Sequence, residues 1–119
     1  MKPTYSFIII AFNEALNISR TITSILELEN KETFEIIVVN DGSTDDTLQI
    51  VSKLASKHSQ MRIVDLQPNM GRGAARNAGI KAASGKYYAL IDADIILPQE
   101  WLTRCVALLD EYEACGGVA

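Results

Sequence analysis

Apolar residues are distributed along the chain in two alternating rhythms. Ser6 to Phe12 is a continuous, β-branched run that predicts a strand covered on both faces. Phe34 to Val39 predicts a second buried strand, Met61 to Leu66 a third, and Tyr87 to Ile91 a fourth that is again buried. Between these runs apolar residues recur three and four apart, the period of a helix with one face turned inward. Ala15, Ile18, Ile22, Ile25 and Leu26 mark the first helix, with Asn13 as its N-cap. Leu48, Val51, Leu54 and Ala55 mark the second. It is capped by Ser43 or Thr44, with Asp45 and Asp46 in the first turn, where the helix dipole favours carboxylates. Pro68-Asn69-Met70-Gly71 reads as a turn, followed by an alanine-rich helix from about Arg72 to Ser84 with Gly85 as its C-cap. Pro98 opens the last helix, with Trp101, Leu102, Cys105, Leu108 and Leu109 inward.

This alternation predicts an α/β fold, a Rossmann-like parallel sheet with right-handed crossovers and helices on both faces. Ligands of such sheets sit beyond the carboxyl ends of the strands, near the point where strand order reverses. The polar groups that follow the strands are Asn13 and Glu14, Asn40 and Asp41, Asn69 through Arg72, and Asp92 and Asp94. All are expected on one rim. In Asp92-Ala93-Asp94 only a small side chain separates two carboxylates, so both can turn toward one cation. Oxygen ligands of this kind suit Mg²⁺ or Mn²⁺, which keeps several waters and shares its remaining positions with a substrate phosphate. A lone Asp-x-Asp is more often a polar loop capping a strand, so the weight rests on the other strand ends.

Composition narrows the choice. The 119 residues suffice for one domain, and 48% hydrophobic against 22% charged residues is a globular balance. Eleven Lys and Arg against fifteen Asp and Glu leave a net charge of −4, with no basic cluster to track a nucleic-acid backbone. Cys105 and Cys115 match neither Cys-x-x-Cys nor a zinc spacing and read as reduced, semi-buried thiols of a cytoplasmic protein. The longest apolar run, Phe7 to Phe12, is strand-sized, so no membrane segment is expected in this chain. Met-Lys-Pro-Thr-Tyr-Ser at the amino terminus does not resemble a signal peptide.

Four stretches taken together resemble the family 2 glycosyltransferases. They are Phe12-Asn13-Glu14, the Val38-to-Thr47 run Val-Val-Asn-Asp-Gly-Ser-Thr-Asp-Asp-Thr, Asn69-x-Gly71-x-Gly73-x-Ala75-Arg76-Asn77-x-Gly79, and Asp92-Ala93-Asp94. Any one is weak; four in the family's order and spacing are specific. The resemblance implies a GT-A fold and transfer of a sugar from a nucleoside diphosphate sugar, a uridine nucleotide by expectation. The acceptor would be a polysaccharide or a lipid-linked glycan, and the complete enzyme cytoplasmic or peripheral to a membrane. Phe12, Asn13, Glu14, Asp41, Gly71, Gly73, Arg76 and Asp92 would bind the nucleotide sugar, and Asp94 with Asp92 would hold the metal. Asp41 would accept a hydrogen bond from the base; its bland reading is a turn residue before Gly42. Arg76 and Arg72 lie near the start of the third helix, where positive charge and free N–H groups favour a diphosphate. Surface solvation accounts for Arg72 equally well, so Arg76 is the preferred diphosphate ligand. Gly71 and Gly73 remove side chains that would obstruct backbone approach. Asp45 and Asp46 are read as helix-start carboxylates, His58 as exposed at a helix end, and Trp101 as core packing.

The chain departs from the family pattern at Ile10-Ala11, where many relatives carry Pro-Thr, and at Asn40, which replaces a common aspartate. The sequence ends at Gly116-Gly117-Val118-Ala119, where a further strand is due. The expectation is therefore a donor-binding half, residues 1–119, without the acceptor half and its general base. Such a piece would be inactive alone and prone to self-association through an unpaired sheet edge. A non-catalytic nucleotide-binding module is the alternative. A phospho-receiver domain fits poorly, since strand three leads to Gln67-Pro68-Asn69 where a phosphorylatable Asp is required. A dinucleotide-binding domain fits no better, because the glycine-rich run follows the third strand and has Arg76 where the third glycine belongs.

Overall fold

The computed structural model describes residues 2–29 and 32–111, with side chains to residue 108. Strands β1 (Tyr5–Ala11), β2 (Phe34–Asp41), β3 (Met61–Leu66) and β4 (Tyr87–Asp92) alternate with helices α1 (Ile18–Leu26), α2 (Thr47–Ala55), α3 (Arg72–Ala82) and α4 (Trp101–Glu111). All neighbouring strands are parallel and the order is β3-β2-β1-β4. The chain moves outward from β1 to β3, then crosses back beneath the sheet and resumes beside β1. The order therefore reverses at β1, and the crevice between β1 and β4 is the expected ligand position.

Side-chain alternation along β1 and β2 builds two cores. Phe7, Ile9 and Ala11 with Ile36 and Val38 meet α1, α2 and the start of α4, through Ile18, Ile22, Ile25, Val51, Trp101 and Leu102. Ile8, Ile37 and Val39 turn the other way and meet Ala75 of α3, with Ile10, Val64 and Ile80 packed around them. Gly79 brings α3 close to the sheet: a Cβ there would overlap Ile8 Cγ2 and lie 3.1 Å from Val39 Cγ2. At the foot of the sheet Glu35 is buried. It accepts hydrogen bonds from the Ser6 hydroxyl (2.6 Å), the Ser84 N–H (2.7 Å) and Arg62 (2.7 Å). Burial opposes its ionisation, but the Ser6, Ser84 and Arg62 donors outweigh that and hold its pKa below the usual value.

Several expectations shift. Asn13 does not cap α1: it stands at φ 53°, a turn follows, and the helix begins at Ile18 with Asn17 in the capping position. Helix α2 begins at Thr47 with Asp46 at the cap, so Ser43, Thr44 and Asp45 belong to the preceding loop. Helix α3 ends at Ala82, with Ala83 already extended. Gly85 is consequently no C-cap; it lies against Ser6, whose backbone N would be 2.8 Å from an added Cβ. Among the described residues strand β4 is covered on one face only. Ile91 is buried while Tyr88 and Leu90 are about half exposed, because α3 packs over β1, β2 and β3. Leu108 is exposed, His58 is half-buried, and Cys105 is a half-buried free thiol whose pKa burial pushes up. The inward side chain expected at Leu109, and Cys115, lie outside the described residues.

Candidate active site at the strand carboxyl ends

A cavity of about 360 Å³ opens at the carboxyl ends of the strands, within the size range of small-ligand sites. The β1 side supplies Ile10, Phe12 and Glu14, and β2 supplies Asp41. The β3–α3 loop adds Asn69, Gly71 and Arg72, and the end of β4 adds Asp92, Ala93 and Asp94. Polar groups expected from four separate strand ends thus face one volume, with carboxylates from three of them.

Asp41 is the buried anchor, 2% exposed. Its Oδ1 accepts the Met70 N–H at 2.7 Å, and its carbonyl accepts the Asn69 side-chain amide at 2.9 Å. These bonds clamp the 68–71 turn onto β2. The clamp needs Gly42, which sits at φ 70°, where a Cβ would overlap the Asn69 backbone nitrogen and lie 2.8 Å from its Cα. Asp41 and Asn69 therefore position one another.

Asp92 lies opposite Ile10 in the β1–β4 pairing. Its Oδ1 accepts from Arg72 at 2.8 Å in an ion pair exposed at both ends. Such a pair contributes at most about 1 kcal/mol to stability. It does place a cation at the mouth of the pocket. The turn carrying Asp94 is held from beneath by α1. Thr21 donates to the Ala93 carbonyl at 2.9 Å, and Ser24 accepts the Leu97 N–H at 3.0 Å. Neither residue is an evident candidate from sequence. The available signal is a polar side chain within the buried stripe of α1, since buried hydroxyls require partners.

Phe12, Glu14, Asp41, Gly71, Asp92 and Asp94 are brought together, and Arg72 joins them. Asn13, Gly73 and Arg76 are not on the cavity wall. The side-chain oxygen of Asn13 is turned to the β2–α2 loop, where it accepts the Thr44 N–H at 2.7 Å. Gly71, at φ 89°, and Gly73 both face open space, with nothing within 4 Å of an added Cβ. Arg76 follows Arg72 by one helical turn, about 6 Å along the axis. Among the described residues no three acidic, His or Cys side chains gather around one point. The donors at hand are Asp92 and Asp94, and two carboxylates fit a hard divalent ion completed by phosphate and water.

A parallel sheet with its switch point beside an Asp-x-Asp turn is the GT-A architecture of nucleotide-sugar enzymes, and solved structures confirm the fold. S. aureus TarS in complex with UDP superimposes with a TM-score of 0.81 at 34% identity, covering 95% of this chain and 33% of that one. The mannosyltransferase PcManGT from Pyrobaculum calidifontis, in complex with GDP-Man and Mn²⁺, gives 0.83 at 27% identity, covering 92% and 33%. The chain belongs to glycosyl transferase family 2, whose model matches residues 6–119. Among curated relatives, a poly-β-1,6-N-acetyl-D-glucosamine synthase of Staphylococcus epidermidis is 39% identical over 95 residues, 80% of this chain and 23% of the relative. An uncharacterized glycosyltransferase of Haemophilus influenzae is 36% identical over 111 residues, 93% and 34%. The chain thus spans 23% and 34% of the lengths of these two relatives. No helix among the described residues is long and apolar enough to cross a membrane.

Proposed function

We propose that residues 1–119 form the donor-binding half of a glycosyltransferase that moves a sugar from a uridine diphosphate sugar to a polysaccharide or lipid-linked glycan. The observation that carries this reading is the shared pocket, in which buried Asp41 and the Asp92/Asp94 pair face one volume beside Arg72. Relatives solved with UDP and with UDP-GlcNAc support the uridine donor. The Mn²⁺ complex of the mannosyltransferase supports a divalent ion.

In this reading Asp41 accepts a hydrogen bond from the base, and Phe12 and Glu14 border the nucleoside. Asp94 and Asp92 hold Mn²⁺ or Mg²⁺. When bound, that ion supplies positive charge beside the departing diphosphate. Arg72 reinforces it: a unit charge about 4 Å from the phosphate is worth about 4 kcal/mol at an effective dielectric near 20. Gly71 and Gly73 leave the helix entrance open for phosphate oxygens, and Arg76 adds charge one turn behind. An acceptor hydroxyl attacks the anomeric carbon, and the bond to the nucleoside diphosphate breaks. The base that takes the hydroxyl proton is assigned to no residue of this chain. The outer edge of β4, unpaired among the described residues, also makes self-association an expected property, which sedimentation at increasing concentration measures; a monodisperse monomer throughout would refute it.

Thermal-shift titration with UDP, GDP and dTDP, each with and without Mn²⁺, tests the reading. Stabilisation by UDP that requires Mn²⁺ is expected. Indifference to all three nucleotides would overturn it, and binding by the complete protein without sugar transfer would favour the non-catalytic module.

A further inference from the structure

The loops after β1 and β2 are tied together by bonds that run in both directions. The backbone N–H groups of Asn13, Glu14 and Ala15 donate in turn to Ser43 Oγ (3.0 Å), Thr47 Oγ1 (2.9 Å) and Asp45 Oδ2 (3.2 Å). In return, Asn13 Oδ1 accepts from the backbone N–H groups of Thr44 (2.7 Å) and Asp45 (3.3 Å). Asp45 Oδ1 also accepts the Thr47 N–H at 2.9 Å and the Thr47 hydroxyl. Thr47 is fully buried, so its hydroxyl relays the bond from Glu14 to Asp45 within the protein. Asn13 reaches its partners from φ 53°, a conformation that Asn tolerates better than other non-glycine residues. Neither Asn13 nor Asp45 lines the cavity, whereas their neighbours Phe12 and Glu14 do.

We infer that Asn13 and Asp45 are positioning residues. Their reciprocal bonds lock the 12–15 loop to the 43–47 loop and thereby set Phe12 and Glu14 against Asp41 in the nucleotide pocket. Asn13 thus acts through the loop and not by touching the ligand. The carboxylate of Asp45 suits this use, because a lock that closes on Ala15 and Thr47 N–H groups needs an acceptor at both of its oxygens. The hydrogen bonds from the Thr47 hydroxyl and the two backbone N–H groups keep its pKa below the usual aspartate value, so both oxygens remain acceptors at neutral pH. The inference rests on the nucleotide reading for its consequence, but not for the lock itself.

Two variants isolate the lock. Asn13→Gly keeps the positive φ and removes the acceptor. Asp45→Asn keeps one acceptor for Thr47 and presents an amide N–H to the Ala15 N–H. Asp46→Asn is the control: it removes the same charge one residue away, at a cap position whose side chain makes no capping bond. Amide hydrogen exchange of the 119-residue chain reads the lock directly, and isothermal titration of UDP with Mn²⁺ reads its consequence. Expected in both variants are faster exchange at Glu14, Ala15 and Thr44 and UDP affinity weaker by roughly tenfold or more. Asp46→Asn should match the parent chain in both respects. A purely structural role would lower thermal stability and leave the affinity of the folded variant unchanged, so that result overturns the inference alone. Unchanged exchange in both variants overturns it as well. Failure of the parent chain to bind UDP overturns the nucleotide reading together with its positioning consequence.

Discussion

Substitution of Gly42 by alanine tests the clamp between β2 and the 68–71 turn. Two costs add at this position. Gly42 stands at φ 70°, and a residue with a Cβ pays about 1–2 kcal/mol for the left-handed region. The new Cβ also overlaps the Asn69 backbone nitrogen and approaches the Pro68 carbonyl carbon to 3.0 Å. Backbone atoms cannot swing aside as a side-chain end does, so this is overpacking, which costs about 1–3 kcal/mol. The sum is about 2–5 kcal/mol, a large part of the roughly 5–15 kcal/mol that stabilises a domain of this size. With several degrees lost per kcal/mol, Gly42→Ala should lower Tm by about 10 °C or more, read by circular dichroism and by the urea midpoint. Relief of the overlap requires the turn to retreat. The Met70 N–H would then leave Asp41, and UDP affinity should fall at temperatures where the variant is still folded. A Tm within about 2 °C of the parent with unchanged nucleotide affinity would refute the clamp.

Other outcomes follow from individual residues. Asp94→Ala should abolish the Mn²⁺-dependent part of UDP binding; unchanged titration heats would reject Asp94 as the metal ligand. Glu35 has a folded-state pKa below its unfolded value near 4.3, so its contribution is fully present above that pH and is lost as pH falls through the folded value. Glu35→Gln should therefore be less stable than the parent at pH 7 and lose less on acidification; parallel acid-unfolding curves would contradict this. Gly79→Ala, whose Cβ would strike buried Ile8, should cost about 1–3 kcal/mol by urea denaturation. Gly73→Ala, whose Cβ meets nothing, should gain up to about 1 kcal/mol. Equal effects of these two substitutions would show that α3 does not seat on the sheet through Gly79.

Much of this arrangement is legible in the residues themselves. The alternating strands and helices and the Asp92-Ala93-Asp94 turn follow from local pattern, and so does the placement of Asp41 on the ligand rim. What escapes local reading depends on pairs distant in sequence. Asn13 looks like an N-cap because Asn before an apolar stripe normally is one; its oxygen instead serves Thr44, thirty-one positions on. Asp45 looks like a helix-start carboxylate for the same reason. The apolar run of β4 carries no mark of its exposed face, since a short continuous run does not reveal whether a helix covers it. Arg72 and Arg76 lie on the same side of one helix, and only its docked position shows that Arg72 borders the pocket. Thr21 and Ser24 become intelligible once α1 is seen beneath the 93–97 turn.

In the proposed function, separate strand-end loops converge on one metal-chelated diphosphate. Backbone amide NMR of the ¹⁵N-labelled chain, titrated with UDP and Mn²⁺, tests it most directly. Paramagnetic broadening should be strongest at residues 71–72 and 92–94 and fade toward the opposite end of the sheet, with shifts at Phe12, Glu14 and Met70 when Mg²⁺ replaces Mn²⁺. Broadening centred on the Glu35–Arg62 end of the sheet, or broadening by Mn²⁺ that UDP does not focus on Asp92 and Asp94, would contradict it.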